Sequence, residues 1–328
     1  MSARETPVGT AADMDRLTRI GTADVRRLEA ATRELRRADY RDGGGACATA
    51  RAELARGRRL LRVHVTERLR GRLLVAVADL HNFAGWTAFD GGRPRAAHAH
   101  YRVALKLLEQ HADQDLVANV CYRSARAHLH RRDPARALRA LDRGRIAADR
   151  AGSARTSAII SVNQAWARAM RGSPAETLAL LRRAGDEFAR ATDASRPWSA
   201  FFDASDLQAM IGIVHTELAC SHDVGHTRLA MPALRAALDG YGPSMRRSRV
   251  FSLTALALNH LLAGDHVGGA LVAARALDSA DGLASSRVAD RMLPLLRYCE
   301  RVPAGAGLAD TAHRIRALVE RTRPPRRS

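Results

Sequence analysis

One short segment of the chain carries the residues best suited to metal chemistry. Cys220, His222, Asp223 and His226 fall in CSHDVGHT, and all are residue types that bind zinc. Their spacing fits no standard zinc motif, and a surface loop accounts for them equally well. We therefore predict no metal site here.

The remaining histidines and the glycines give no catalytic signature. His98 and His100, like His128 and His130, are two residues apart, so on a helix they would point away from each other. The sequence has no GxSxG elbow, no Walker A loop and no HExxH motif. We predict that the protein is not an enzyme and uses no cofactor.

A regular spacing indicates which elements position the polar residues. Pro94, Pro134 and Pro174 are 40 residues apart, and so are His226 and His266. Between Pro174 and His226 lies one such period plus an insertion of 12 residues. Self-similarity at this period is typical of helical solenoids, in which each unit is a pair of helices.

The periodic residues predict five helix pairs. Small side chains recur nine residues before each anchor, where paired helices must approach closely; the series is Gly85, Ala125, Ala165, Glu217 and Ala257, with Glu217 the exception. The predicted helices are Arg70–Asp90 with Pro94–Gln110, Asp115–Arg131 with Pro134–Arg150, Ser153–Arg171 with Pro174–Ala191, Ala204–Cys220 with Thr227–Gly240, and Arg246–Ala263 with His266–Ala280. Proline suits the first position of a helix because it has no donor to lose there.

Segments outside the period predict the ends of the array. We divide the chain into a disordered segment 1–21, a capping pair 22–66, the five pairs 67–282 with an insertion at about 191–203, capping helices 283–322 and a disordered basic tail 323–328. Trp198, Phe201 and Phe202 lie in the insertion. They either fill a gap in the core or form an apolar lid over a groove.

Composition supports a helical protein with an aliphatic core. Of 328 residues, 46% are hydrophobic but only 4% are aromatic, which favours close-packed helices over a β-sandwich. The net charge is +19, and Lys106 is the only lysine. The arginines are spread over most helices, so we interpret them mainly as a solvated surface.

The four scattered cysteines, the absence of a signal peptide and the lack of a long apolar run predict a cytoplasmic protein with no membrane contact.

The pattern resembles the tetratricopeptide repeat. The stretches FAGWTAFDGGRPRAAHAHYRVAL and LALNHLLAGDHVGGALVAARAL have that family's small residues and glycine turns, although the family period is shorter. The resemblance implies an all-α fold, a right-handed superhelical α-solenoid of such helix pairs.

The sequence is also similar to actinobacterial regulators in which a helix-turn-helix domain precedes such an array. LHNFAGWTAFDGG, ANVCYRSARAHLH and RSRVFSLTALALNHLLAGD carry this resemblance. It implies a role in transcriptional regulation. The residues before Thr22 are polar and loop-like, so we expect no helix-turn-helix domain and no direct sequence-specific DNA binding.

The repeat resemblance also implies a concave groove formed by the first helix of each pair. The residues it places there are Asp79, Asn82, Trp86, Asp90, Asn119, Tyr122, Arg126, Asn163 and Trp166. Such a groove suits a protein or peptide partner, or a small-molecule effector. Trp86 and Trp166 sit at equivalent offsets from their anchors, so packing between repeats explains them as well as ligand contact does. The family's carboxylate clamp is incomplete, because Trp86 and Ile159 stand where it needs Asn and Lys.

Three functions therefore compete. The repeat pattern favours a non-catalytic interaction or ligand-sensing module. Arginines gathered on one face would favour nucleic-acid binding. A deep pocket with perturbed carboxylates or histidines would favour an enzyme. The sequence does not identify the partner or the oligomeric state.

Overall fold

The chain folds into stacked helical hairpins. The computed structural model describes residues 20–42, 47–110, 113–192, 196–283, 285–302 and 306–322, and within them all regular structure is helical. The α-helices are α1 (Thr22–Asp42), α2 (Cys47–Leu60), α3 (Glu67–Asp90), α4 (Pro94–Gln110), α5 (Gln114–His130), α6 (Pro134–Ala151), α7 (Ala154–Met170), α8 (Pro174–Ala189), α9 (Ala204–Ser221), α10 (Thr227–Gly240), α11 (Arg246–Leu262), α12 (His266–Ala280), α13 (Ser286–Arg301) and α14 (Ala306–Thr322). The predicted all-α solenoid is confirmed.

Two layers of helices make up the array. The first helices of the pairs, α3, α5, α7, α9, α11 and α13, each contact the next and form an inner layer. The second helices, α4, α6, α8, α10, α12 and α14, cover them from outside. Helix α3 buries residues on every side, whereas α4 buries only one face. The polar side chains of inner helices must therefore find partners inside the protein.

Local sequence signals place the hairpin turns. Pro134 begins α6, and the Asp133 side chain caps that helix by accepting a hydrogen bond of 3.0 Å from the Arg136 amide. Gly92 and Gly172 take positive φ angles of 71° and 69° in the first and third turns. Arg132 occupies the equivalent place in the second turn with φ of 58°, where a side chain is strained.

Small residues at the predicted positions let the hairpins close. A Cβ atom added to Gly85 would lie 2.5 Å from the Tyr101 ring of α4, so only glycine fits. The predicted equivalence of Glu217 is wrong. A short 3₁₀ turn, Val224–His226, lengthens the fourth connection and shifts its register. Gly212 makes the close approach there instead, with an added Cβ 2.5 Å from Leu234.

The stack curves until its two ends meet. Helix α1 contacts α11, and α13 contacts α5, although these helices are far apart in sequence. The inner layer therefore surrounds a central space rather than lining an open groove.

Most helices begin and end within a few residues of the predicted positions, and α2, the second helix of the predicted capping pair 22–66, ends at Leu60. Nearly all of segment 1–21 and the tail 323–328 lie outside the described residues, so the disorder predicted there stays a prediction. Within the described part of the chain, every helix is too short or too polar to cross a membrane.

Candidate functional site

The central space contains a cavity of about 100 Å³, which we call the inner cavity. Side chains from α1, α3, α5, α7, α9, α11 and α13 and from the insertion converge on it. Its aromatic wall consists of Tyr40, Trp86, Tyr122, Phe201, Phe202, Tyr241 and Phe251, and its ionisable groups include Arg123, Arg126, Asp206, Arg247 and Arg287. A second cavity of about 170 Å³ adjoins it, because Ile213 and Phe251 line both.

Helix periodicity directs two neighbouring α5 side chains to the inner cavity. Tyr122 and Arg126 are four residues apart and share one face of α5. The ring of Tyr122 stacks on Phe201 of the insertion, with centroids 6.1 Å apart and planes inclined by 17°. Arg126 donates from Nη1 to the Met210 sulfur at 3.0 Å and to Asn163 Oδ1 at 3.3 Å.

Arginines stack on two tryptophans beside the cavities. Arg123 and Arg287 lie over the ring of Trp86, at 5.3 and 4.3 Å from its centroid. Arg126 and Arg291 lie over the ring of Trp166 in the same way. We call Trp86, Trp166, Arg123, Arg126, Arg287 and Arg291 the arginine–tryptophan cluster. Each tryptophan thus contacts one arginine of α5 and one of α13, which joins the middle of the array to its end.

Burial and neighbouring positive charges act on both arginines beside Trp166. Arg126 and Arg291 lie 5.1 and 4.4 Å from the Trp166 ring centroid. Burial lowers the pKa of Arg126. Tyr122 opposes this effect, and the positive charge of Arg287 adds to it. Burial, then Arg126 and Arg287, lowers the pKa of Arg291 well below its ordinary value. Both guanidiniums are thus held in a poorly solvated, positive environment.

A buried ion network closes the central space on one side. Asp90, at the end of α3, accepts hydrogen bonds from Arg287 Nε, from Ser285 at 2.7 Å and from Arg247 at 2.7 Å. Arg247 also donates to Asp39 of α1 at 2.7 Å. Burial alone would raise the pKa of Asp90, but Arg287 and Arg247 outweigh it and hold that pKa below its usual range.

The predicted groove residues divide into two groups. Trp86, Tyr122, Arg126 and Asn163 line the inner cavity, and Trp166 lines the second cavity. The structure thus brings these five side chains to the walls of the two cavities.

The other four lie away from both cavities and pair within the protein. Arg36 of α1 donates two hydrogen bonds to Asp79. Asn82 donates to Asn119 at 3.0 Å. Asn119 in turn donates to the Trp198 carbonyl at 3.1 Å, and Asp90 belongs to the ion network. These side chains are buried between helices and connect neighbouring repeats.

The insertion serves the core and the cavity together. Trp198 is 6% exposed, and its indole N–H donates to Asp115 at 2.7 Å. Phe201 and Phe202 face the inner cavity. Trp198 and Phe202 are both buried in the hydrophobic core, as the first of the two alternatives predicts, and the apolar lid over a groove stays a prediction.

Several wall residues escaped sequence reasoning because they lie outside the periodic pattern or on distant helices. They are Tyr40, Asp206, Met210, Tyr241, Arg247, Phe251, Arg287 and Arg291. The sequence does contain a signal for two of them. Arg287 and Arg291 are four residues apart, so they share a face of the final inner helix.

Asp206 is the most perturbed carboxyl group on the wall. Burial, with nearby Asp203, raises its pKa to about 7. Its Oδ2 atom is buried without a hydrogen-bond partner. Near neutral pH this group exchanges a proton readily, so the inner cavity changes charge over that range.

Four histidines pair through their imidazole rings. His215 and His226 bring their Nδ1 atoms within 3.0 Å, and so do His81 and His100. Burial, then the neighbouring His100, lowers the pKa of His81 to about 4. In the described part of the chain, the His, Cys, Asp and Glu side chains form no group of three or more able to hold a metal ion.

Comparisons with known proteins identify the fold. No protein-family model matches the sequence, and no curated protein is significantly similar to it. Among solved structures, the chain is similar to a Rap protein crystallised in complex with Competence and Sporulation Factor. The two share 12% identity with a TM-score of 0.55, over 91% of this chain and 87% of the Rap chain. At this identity the likeness establishes a common helical-repeat architecture.

Proposed function

We propose that this protein is a non-catalytic ligand-sensing module that binds a short peptide, whose side chains enter the inner cavity. One observation carries the proposal: inner helices from both ends of the array direct aromatic and arginine side chains onto one cavity. Rigid aromatics provide contact area at low entropic cost, and arginine provides directed hydrogen bonds. Cavity walls of this composition suit the recognition of a peptide ligand.

The size of the cavity limits what enters it. Pockets for drug-sized ligands usually measure about 300–1,000 Å³, whereas the inner cavity is about 100 Å³ and its neighbour about 170 Å³. These volumes fit individual side chains of a peptide, not a large cofactor. A longer ligand requires the inner helices to separate, which the closing ion network resists.

The solved neighbour supports a sensing role. A Rap protein with the same architecture is found in complex with Competence and Sporulation Factor. We extend the comparison to this chain as a proposal: a regulatory ligand binds inside the array and alters its shape. The resemblance to actinobacterial regulators motivates a place in transcriptional control, through a separate DNA-binding protein.

Capture of the ligand tests this function. Purified protein is incubated with a peptide extract of the native host, washed and analysed by native mass spectrometry. Ser248 lines the inner cavity, so Ser248→Trp fills it. Val267 is 75% exposed on α12, and Val267→Trp adds the same side chain outside. We expect a retained mass with the wild type and Val267→Trp, and none with Ser248→Trp. Equal retention by all three would refute the proposal.

One observation favours a catalytic alternative. The raised pKa of Asp206, about 7, is the value expected of a general acid or base at neutral pH. An enzyme of this kind would turn over the captured ligand, with a bell-shaped or sigmoidal pH dependence that Asp206→Asn removes. Recovery of the ligand with unchanged mass after prolonged incubation would exclude this alternative.

A further inference from the structure

Positive charge exceeds negative charge around the two cavities. Arg123, Arg126, Arg247 and Arg287 line the inner cavity. Arg132, Arg291 and Arg297 line the second. The carboxylates on these walls, or paired with these arginines, are Asp39, Asp90, Asp206, Glu217 and Asp290. Seven arginines against five carboxylates leave an excess of two positive charges, and the raised pKa of Asp206 increases that excess near neutrality.

The ion pairs show where the excess lies. Arg247 and Arg287 are paired with Asp39 and Asp90. Arg132 is paired with Glu217 at 2.7 Å. Arg126, in contrast, donates only to an amide oxygen and a thioether among its hydrogen-bond contacts, and Arg123 donates to the carbonyl of Asn82 at 3.2 Å.

Unsatisfied donors concentrate around Trp166. The Nε atom of Arg126 is buried without a hydrogen-bond partner, and Arg126 itself is only 7% exposed. The Nε and Nη2 atoms of Arg291 and the indole Nε1 of Trp166 are also buried without partners. A buried donor left unpaired destabilises the protein, and more so when it is charged. Four such donors on three neighbouring side chains are therefore a site built for an acceptor.

We propose that Arg126, Arg291 and Trp166 bind a doubly charged oxyanion group of the ligand, either a phosphate ester or a pair of carboxylates. The inference rests on the proposed function, in which the ligand enters the central space, and it specifies the ligand's chemistry. Guanidinium groups match oxyanions because their donors form bidentate hydrogen bonds. A dianion also offsets the two excess charges, which a single chloride does not.

Anion-dependent stability tests this site without the natural ligand. The full chain is melted at pH 7.5 in sodium phosphate, sodium succinate or sodium chloride, titrated at matched ionic strength. The phosphate and succinate titrations distinguish the two kinds of ligand group. Protection by phosphate alone indicates a phosphate ester, and protection by succinate alone indicates two carboxylates. We expect saturable protection beyond that of chloride, accompanied by a change in tryptophan fluorescence that Trp166→Phe abolishes.

Paired glutamine variants locate the effect. Arg126→Gln with Arg291→Gln should weaken the apparent affinity for the protecting anion at least about tenfold, because the variant loses both buried charges that would pair with it. The control, Arg139→Gln with Arg150→Gln, removes the same charge from exposed positions on α6 and should keep the protection. Should the first double variant fail to fold, Arg291→Gln alone replaces it, because it removes one buried guanidinium rather than two.

The outcomes distinguish this inference from the proposed function. The inference is overturned if neither phosphate nor succinate protects more than chloride, or if the Arg126/Arg291 variant keeps the protection of its control. Ser248 lines the inner cavity and not the second cavity, where Arg291 and Trp166 lie, so Ser248→Trp should retain protection by the anion through these two residues. If the wild type captures a host ligand and Ser248→Trp does not, but no anion protects, the function stands and the oxyanion site fails.

Discussion

Arg247 of α11 donates a hydrogen bond of 2.7 Å to Asp90 of α3 across a separation of 157 residues. Both side chains are buried, and Arg287 of α13 reaches the same carboxylate. Contacts in a solenoid are normally confined to neighbouring repeats. This one joins the first repeat to the last and turns the array into a closed shape with an interior.

Asp90→Asn should open the closed array. The change leaves the Arg287 and Arg247 charges facing a neutral amide, and breaking a buried ion pair costs about 3–5 kcal/mol. Urea denaturation measures the loss of unfolding free energy, and small-angle X-ray scattering should show a larger radius of gyration. Asp278→Asn is the control, because Asp278 pairs with Arg314 at an exposed position where about 0–1 kcal/mol is at stake. Equal losses in the two variants would mean that the network does not hold the ends together.

Gly85→Ala should destabilise the first hairpin. The added methyl group would lie 2.5 Å from the Tyr101 ring, and overpacking of this kind costs about 1–3 kcal/mol; Gly85→Leu should cost more. Gly185 on α8 has open space where its Cβ would be. Gly185→Ala should therefore gain about 0.5–1 kcal/mol from helix propensity. Thermal melts that shift in the same direction for both variants would contradict the packing described here.

Asp206 should make the protein less stable as pH rises. Its pKa is about 7 in the folded protein and near 3.8 when unfolded, so between these values the folded state retains a proton that the unfolded state has lost. Stability linked to Asp206 is therefore complete below about pH 4, falls as pH rises to about 7, and is constant above it.

Asp206→Asn should remove this dependence. At pH 8 we expect the variant to be about 1–3 kcal/mol more stable than the wild type, after allowing for partial exposure of the side chain. At pH 4 the two proteins should differ little. The measurement is a series of urea titrations across pH 4–8, and parallel pH profiles would show that Asp206 ionises normally.

Local features of the sequence were sufficient to predict the helical hairpins. Pro94, Pro134 and Pro174 begin second helices because proline is tolerated at a helix start, and each does so at its predicted residue. In the fourth pair the helices also lie at the predicted residues, and only the position of close approach, predicted at Glu217, is displaced, because nothing in the anchor spacing reveals the extra 3₁₀ turn before Thr227.

The candidate site was only partly predictable. Tyr122 and Arg126 followed from the repeat position of α5. The partners that complete the site, such as Arg287 and Arg291, depend on curvature accumulated over the whole array. Small changes in hairpin packing add up along a solenoid, so no local pattern fixes which distant helices meet. Likewise, Asp79 and Asn82 lie on the inner helix α3 but are buried against neighbouring helices, a distinction that periodicity alone does not make.

Hydrogen–deuterium exchange with and without the host peptide extract tests the central claim, ligand binding inside the array, most directly. Amides of the inner helices α5, α7, α9 and α11 should exchange more slowly when the extract is present, because an occupied cavity opposes their local opening. The outer helices α4, α6 and α8 should be unchanged, and Ser248→Trp should show no difference. Slower exchange confined to the outer helices, or slower exchange that persists in Ser248→Trp, would contradict the account.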